Sequence, residues 1–89
     1  MQTKSITIIN KLGLHARAAA RLVQLASRFD CDINIILNGR KVNGKSIMGI
    51  MMLAASKDTT VQITTAGPDE LVAMSGLEEL IQARFGEDE

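Results

Sequence analysis

The chain has 89 residues, 46% of them hydrophobic, and ten basic and ten acidic side chains give it a formal net charge of zero. This length predicts one small domain, residues 1–89, whose core is aliphatic and rich in methionine because Phe29 and Phe85 are the only aromatic residues. The zero net charge argues against a nucleic-acid binder and against a protein held at membranes by long-range electrostatics.

Reactive side chains are scarce in this sequence. Cys31 and His15 are the only residues of their types, which excludes a disulfide framework and the usual zinc ligand sets. The first ten residues lack the apolar core of a signal peptide, and no segment reaches the ~18 apolar residues of a membrane span. We therefore expect Cys31 to behave as a small apolar residue, in a cytoplasmic protein with no membrane insertion, no metal and no organic cofactor.

Charge is unevenly divided along the chain. Residues 1–45 carry eight basic and two acidic side chains, whereas residues 46–89 carry two basic and eight acidic ones. Either the two sets lie close together in the folded domain and largely cancel, or the basic half forms a patch that faces a partner.

The first predicted elements are a strand and a helix. Residues 5–10 alternate in character and are rich in β-branched side chains, which predicts a half-buried strand with Ile6 and Ile8 on the core face. Residues 11–15 form a loop. Over residues 16–29, apolar side chains recur every three or four positions beside a stripe of arginines, which predicts an amphipathic helix.

A hairpin and a short helix come next. Residues 33–37 predict a strand that ends at Asn38-Gly39, the dipeptide that most readily forms a type I′ turn, and residues 40–43 predict the returning strand. Ser46 precedes a short apolar run with helical spacing, which predicts that this serine is the N-cap of a second helix.

The last predicted elements are a strand over residues 60–66 and a third helix. Apolar spacing extends that helix to Phe85, with Asp69 and Glu70 at its N-terminus, and the acidic residues 87–89 are expected to be frayed. The predicted order is β-α-β-β-α-β-α. Because each strand alternates apolar and polar residues, all helices are expected on one side of the sheet, which defines an open-faced α/β sandwich.

Residues 39–46, GRKVNGKS, match the pattern G-x-x-x-x-G-K-[ST] of nucleotide-binding P-loops. In a P-loop the first glycine follows a parallel strand, but here Gly39 belongs to the predicted hairpin turn. No apolar strand ending in aspartate is present to supply the acid on the magnesium side. The sequence therefore argues against a nucleotide hydrolase.

His15 is the only side chain suited to nucleophilic or acid–base chemistry at neutral pH. It stands directly before the helix predicted from Ala16, where unpaired backbone N–H groups and the helix dipole favour a negative group. Arg17 adds a permanent cation whose forked donors suit phosphate oxygens. Residue types and spacing leave two interpretations open: a phosphohistidine site, and a polar loop residue beside a solvated arginine.

Two longer segments resemble the signatures of a known family. Residues 11–19, KLGLHARAA, and residues 44–55, GKSIMGIMMLAA, resemble the two motifs of HPr, the histidine phosphocarrier of the bacterial phosphotransferase system. The resemblance extends over essentially the whole chain. It implies an HPr-like fold with a four-stranded antiparallel sheet in the order 1-4-2-3 and three helices on one face.

The resemblance also implies roles for individual residues. His15 would be phosphorylated on Nδ1 by phosphorylated Enzyme I, which draws on phosphoenolpyruvate, and would pass the group to a histidine of an EIIA-type protein. Arg17 would steady the phosphoryl oxygens, and Ser46 would be the regulatory serine modified by HPr kinase/phosphorylase. The docking patch beside His15 would contain Leu14, Ala20, Ile47, Met48 and Met51, with Met52 as a further candidate. The chain would then be a monomeric carrier with a phosphohistidine intermediate rather than a stand-alone enzyme.

One position departs from the family pattern. Ala18 stands where proline is usual, and because a proline in the first helical turn removes an N–H that is unpaired in any case, we expect alanine to be tolerated at small cost. The change is similar to members of the nitrogen-related NPr branch. The sequence therefore leaves open whether this chain serves sugar uptake, regulation or both.

Ser46 and the methionines also have simpler interpretations. Helix rules alone make Ser46 an N-cap, and methionines at helical spacing are more often buried than exposed. An alternative hypothesis is a regulatory binding module in which phosphorylation of Ser46, rather than of His15, carries the signal.

Overall fold

The computed structural model describes residues 1–89 and contains four strands and three helices in the predicted order. The strands are β1 (Gln2–Thr7), β2 (Asp32–Leu37), β3 (Arg40–Asn43) and β4 (Thr60–Ala66), and the helices are α1 (Ala16–Ala26), α2 (Ile47–Leu53) and α3 (Glu70–Gln82). One 3₁₀ turn, Arg84–Gly86, follows α3. None of the helices has both the length and the apolar character needed to cross a membrane.

The strands form one antiparallel sheet in the order β1-β4-β2-β3, with the three helices on one face. This arrangement confirms the open-faced sandwich. The core joins the inward side chains of the strands to one side of each helix. Its members include Ile6, Ile33, Ile35, Val61 and Ile63 from the sheet and Ala19, Leu22, Ile50, Leu53, Met74, Leu77 and Ile81 from the helices.

The turn between β2 and β3 confirms the predicted hairpin. Asn38 and Gly39 have φ values of 52° and 80°, and a type I′ turn requires positive φ at both positions. The turn aligns Leu37 with Arg40 in the ladder. Because the first glycine of GRKVNGKS lies in this turn and the next residues are extended, the octet does not form a phosphate-binding loop.

The first strand starts and ends three residues earlier than expected, at Gln2–Thr7 instead of residues 5–10. Its ladder with β4 runs from the Gln2–Thr65 pair to the Thr7–Thr60 pair, and it stops where β4 begins. Ile6 and Ile8 are both buried, as predicted.

The two long helices end earlier than their apolar spacing predicts. α1 ends at Ala26 rather than Phe29, and α3 ends at Gln82 rather than Phe85. Phe85 is nevertheless fully buried, because the 3₁₀ turn carries it to the core with a φ of 56°. A residue at helical spacing can thus reach the core from a turn.

Asp69 and Glu70 stand at the start of α3, as predicted, but the Asp69 side chain makes no hydrogen bond to the helix. Its carboxylate instead accepts hydrogen bonds from the backbone N–H groups of Asp30 (2.8 Å) and Cys31 (2.9 Å). The bond from Asp30 foremost, with those from Cys31, lowers the pKa of Asp69. These bonds tie the turn before α3 to the segment before β2.

Cys31 is 1% exposed and belongs to the core. Burial raises the pKa of its thiol to about 11. The side chain is therefore a neutral, small apolar residue at physiological pH, as predicted.

The acidic C-terminal residues are ordered, so the expectation of fraying was wrong. The carbonyl oxygen of Glu89 accepts a hydrogen bond from the backbone N–H of Lys11 at 2.6 Å. The side chains of the same two residues form an ion pair at 3.2 Å. The tail turns back to the loop before α1 because polar partners are available there.

Both interpretations of the charge asymmetry hold in part. Lys4 pairs with Glu78 at 2.7 Å and Lys11 with Glu89 at 3.2 Å, so basic residues of the first half do meet acidic residues of the second. Arg17, by contrast, is exposed and forms no ion pair. Its charge remains available to a ligand or partner.

Replacing Asp69 by asparagine should destabilise the domain near neutral pH, because an amide offers one acceptor atom where the carboxylate offers two. Folding lowers the pKa of Asp69, so its ionised form contributes stability above the ordinary aspartate pKa of about 3.9. This contribution is lost as the pH falls through the lower, folded-state value.

The measurement is the melting temperature of wild type and Asp69→Asn at a series of pH values. The difference should shrink between about pH 7 and about pH 2. The control is Glu79→Gln, because Glu79 is an exposed residue of α3 whose carboxylate forms no ion pair. If the difference in melting temperature between wild type and Asp69→Asn stayed constant with pH, the ionised carboxylate of Asp69 would not be the stabilising form.

Candidate functional site

His15 is the N-cap of α1. Its backbone is extended (φ −75°, ψ 179°), and its carbonyl oxygen accepts a helical hydrogen bond from Ala19 at 2.8 Å. Nδ1 of the ring accepts a hydrogen bond from the backbone N–H of Arg17 at 3.3 Å. The N–H group of Ala16 has no hydrogen-bond partner and Ala16 is exposed, so this N–H can bind an anion at the helix start.

The other ring nitrogen of His15 contacts the C-terminal tail. Nε2 lies 2.5 Å from Oε2 of Glu87, and the two side chains are 27% and 13% exposed. Sequence reasoning missed Glu87, which lies 72 residues away in a segment that was expected to be frayed. No local pattern could have identified it, because the contact depends on how the chain end packs.

Asn10 connects Glu87 to the loop that precedes His15. Asn10 is fully buried, and its Nδ2 donates to the carbonyl oxygen of Gly13 at 2.8 Å and to Oε1 of Glu87 at 2.9 Å. The Asn10 hydrogen bond, followed by the contact with His15 and the charge of Arg17, lowers the pKa of Glu87. The Glu87 carboxylate is therefore ionised at neutral pH.

The loop before His15 packs closely against the segment that follows α2. Gly13 has a φ of 67°, and a Cβ at this position would lie 2.4 Å from the carbonyl oxygen of Ala55. The N–H of Leu14 donates to that same oxygen at 2.9 Å. This contact fixes the start of α1 beside the end of α2, and a side chain at position 13 would break it.

Arg17 lines an open cavity of ≈ 520 Å³ between the start of α1 and the tail. Lys11 and Arg21 line the same cavity, together with the acidic residues 87–89. Arg21 also donates a hydrogen bond to the carbonyl oxygen of Phe85, which holds the tail against α1. Basic side chains from the helix and acidic side chains from the tail thus share one site.

Ser46 is the N-cap of α2, as predicted. Its Oγ accepts a hydrogen bond from the N–H of Gly49 at 3.1 Å, and its carbonyl oxygen accepts one from Ile50 at 3.1 Å. The residue is partly exposed, so its hydroxyl serves the helix and can still be approached from solvent.

The predicted docking residues divide into two groups. Ile47, Met48 and Met51 are 42%, 73% and 43% exposed, as a docking surface requires. Met74 is the only methionine in the core, so the expectation of a methionine-rich core was wrong. Ala20 is half-buried. Leu14 is only 5% exposed, so the expectation that it forms part of the docking surface was wrong. It points into the core because the loop is held against the segment after α2.

The site offers a nucleophilic nitrogen, free backbone donors and cationic side chains, a combination suited to holding a phosphoryl group on an imidazole. No group of three histidine, cysteine, aspartate or glutamate side chains lies close enough together to hold a metal ion.

Comparisons with known proteins agree with this chemistry. A family model described as "PTS HPr component phosphorylation site" matches residues 2–83. The phosphocarrier protein HPr of Cupriavidus necator is 56% identical over 89 residues, and that of Neisseria meningitidis serogroup B is 53% identical over 89 residues. Each alignment covers 100% of both chains.

Solved structures give the same result. HPr-C-His from Thermoanaerobacter tengcongensis has a TM-score of 0.96 at 46% identity, with 100% of both chains covered. A phosphocarrier protein HPr from Bacillus anthracis has a TM-score of 0.88 at 44% identity, covering 91% of this chain and 96% of that one. The chain belongs to the HPr family, the phosphocarriers that transfer phosphoryl groups from Enzyme I to EIIA-type proteins in the phosphotransferase system.

Proposed function

We propose that His15 accepts the phosphoryl group on Nδ1 from phosphorylated Enzyme I and passes it to an EIIA-type protein. The observation that carries this proposal is the position of Nδ1, at the N-cap of α1 and 3.3 Å from the N–H of Arg17. A phosphoryl group on Nδ1 replaces the ring nitrogen as the acceptor of that N–H and can reach the free N–H group of the exposed Ala16. The helix dipole favours negative charge at the same place.

The chain supplies only part of each transfer site. It contributes the nucleophilic imidazole and the ligands of the phosphoryl oxygens, and the partners contribute the rest. Because the His15 side chain is 27% exposed at the start of a helix, donor and acceptor reach it in turn. The domain of residues 1–89 therefore works as a carrier with a phosphohistidine intermediate.

Arg17 stabilises the phosphoryl oxygens during transfer. Its side chain is exposed and has no ion pair to break before it moves. A guanidinium group presents parallel donors that match the geometry of phosphate oxygens. The positive charge of Arg17 also offsets the negative charge of the phosphoryl oxygens as the group approaches His15.

The partners dock on the surface formed by Ala20, Ile47, Met48 and Met51, with Met52 at its margin. The three larger side chains of this set from α2 are exposed although they are apolar, which is the character expected of an interface core. Methionine side chains adapt to differently shaped partners, as a carrier that meets both a donor and an acceptor requires.

Ser46 is the regulatory phosphorylation site in this proposal, modified by HPr kinase/phosphorylase. A phosphate there adds about −1.5 to −2 charge at the start of α2, beside the exposed Ile47 and Met48, and weakens docking onto an acidic partner. The alternative, a binding module governed by Ser46 alone, does not explain why Nδ1 of His15 lies at the N-cap of α1. We therefore favour the carrier.

Within the family, two branches fit this chain: sugar uptake, and the nitrogen-related NPr branch, to whose members Ala18 is similar. Ala18 is fully buried and its N–H has no partner, so proline and alanine both fit the backbone at this position. The carrier is cytoplasmic and monomeric in either branch.

Incubation with Enzyme I and labelled phosphoenolpyruvate should give wild type an acid-labile, alkali-stable label, and His15→Ala should give none. Arg17→Ala should keep the label on His15 but acquire it about tenfold more slowly, because one charge-assisted contact is lost. The proposal would be contradicted if His15→Ala were labelled or if wild type were not.

Ser46→Asp and Ser46→Asn separate charge from capping, since both residues cap helices about as well as serine. Ser46→Asp should raise the KM of the transfer from phosphorylated Enzyme I about fivefold through like-charge repulsion, while Ser46→Asn stays within about twofold of wild type. Equal KM values for the two variants would show that charge at Ser46 does not control docking.

Met48→Ala should raise the KM of the same transfer about fivefold without changing kcat, because an exposed apolar contact is lost and the chemistry is untouched. Leu71→Ala is the matched control, since Leu71 is 66% exposed on α3. If the two substitutions had the same effect, α2 would not be the docking surface.

A further inference from the structure

We propose that Glu87 is a positioning residue for phosphoryl transfer: its carboxylate keeps the proton of the His15 ring on Nε2, leaves Nδ1 bare as the nucleophile, and is the counter-ion of the ring once Nδ1 is phosphorylated. The inference rests on the proposed role of His15. Glu87 lies beyond residues 2–83, the part of the chain that the family model matches.

The hydrogen bonds of the ring determine its tautomer. Nδ1 is 3.3 Å from the N–H of Arg17, and a backbone N–H can only donate. Nε2 is 2.5 Å from Oε2 of Glu87, and an ionised carboxylate can only accept. Both contacts are satisfied together only if Nε2 carries the proton and Nδ1 does not.

Glu87 is held in place from several directions. Its other oxygen accepts the hydrogen bond from the buried Asn10 at 2.9 Å. On one side of it, Phe85 is anchored in the core and its carbonyl oxygen is bound by Arg21. On the other side, the carbonyl oxygen of Glu89 accepts the N–H of Lys11. The carboxylate therefore reaches Nε2 without further ordering of the tail.

The transfer step balances with this tautomer. Nδ1 attacks phosphorus with its lone pair, and the bond between phosphorus and the donor nitrogen of Enzyme I breaks, leaving its electron pair on that nitrogen. The proton on Nε2 stays where it is and continues to be donated to Glu87. The phosphorylated ring is then an imidazolium, and its positive charge lies against the carboxylate of Glu87.

The effect of Glu87 on the tautomer is measured without Enzyme I. Imidazole ¹⁵N chemical shifts distinguish the bare nitrogen of a neutral ring from its protonated one. In Glu87→Ala, the fraction of rings with the proton on Nδ1 should rise about fivefold above wild type. In Glu79→Gln, the fraction should not change, since Glu79 is exposed on α3, makes no ion pair and lies outside the site.

The effect on transfer is measured with phosphorylated Enzyme I. Glu87→Gln and Glu79→Gln each remove one negative charge and keep the shape of the side chain that they replace. Glu87→Gln should lower kcat about tenfold and leave KM within about twofold of wild type, while Glu79→Gln changes neither. Backbone amide spectra of each variant verify that the fold is intact.

An unchanged kcat in Glu87→Gln would overturn the inference, as would an unchanged tautomer ratio in Glu87→Ala. A faster Glu87→Gln would also overturn it, because Glu87 would then be an obstacle to the donor. Failure of the proposed function has a different signature: wild type and Glu79→Gln would accept no phosphoryl group, whatever the tautomer ratios.

Discussion

A sheet that is covered on one face only is the constraint on which the rest of this structure depends. Three helices of seven to thirteen residues can cover one side of four short strands and no more. Alternate strand residues therefore point into the core or into solvent, as Ile63 and Gln62 do. With the helices side by side, the start of α1 lies against the end of α2, which places His15 close to the apolar surface of α2.

The features that the sequence predicts well are those with local causes. The Asn38-Gly39 turn and the capping role of Ser46 each depend on residues within a few positions, and both are found as predicted. The contacts of Asp69 and Glu87 were not predicted because their partners lie 38 to 77 residues away. Acidic residues at a helix start or a chain end resemble caps or solvated tails until the fold brings a donor to them.

The site combines a reactive nitrogen with very little enclosure, and this combination suits a carrier better than an enzyme. An enzyme surrounds its substrate and excludes water, whereas His15 stands at the end of a helix beside an open cavity. The group that it carries must be surrendered as readily as it is accepted. In the proposed function, backbone N–H groups and the exposed Arg17 hold the phosphoryl group, and a partner can replace these ligands one at a time.

The hairpin strand β3 also bears on how copies of this chain behave at high concentration. β3 lies at the margin of the sheet, is four residues long and carries the exposed Arg40 and Lys41. An unpaired strand margin is a template for pairing with another chain, and short length and positive charge both oppose such pairing. At this edge of the sheet, the short length and positive charge of β3 therefore oppose edge-to-edge pairing of copies into aggregates.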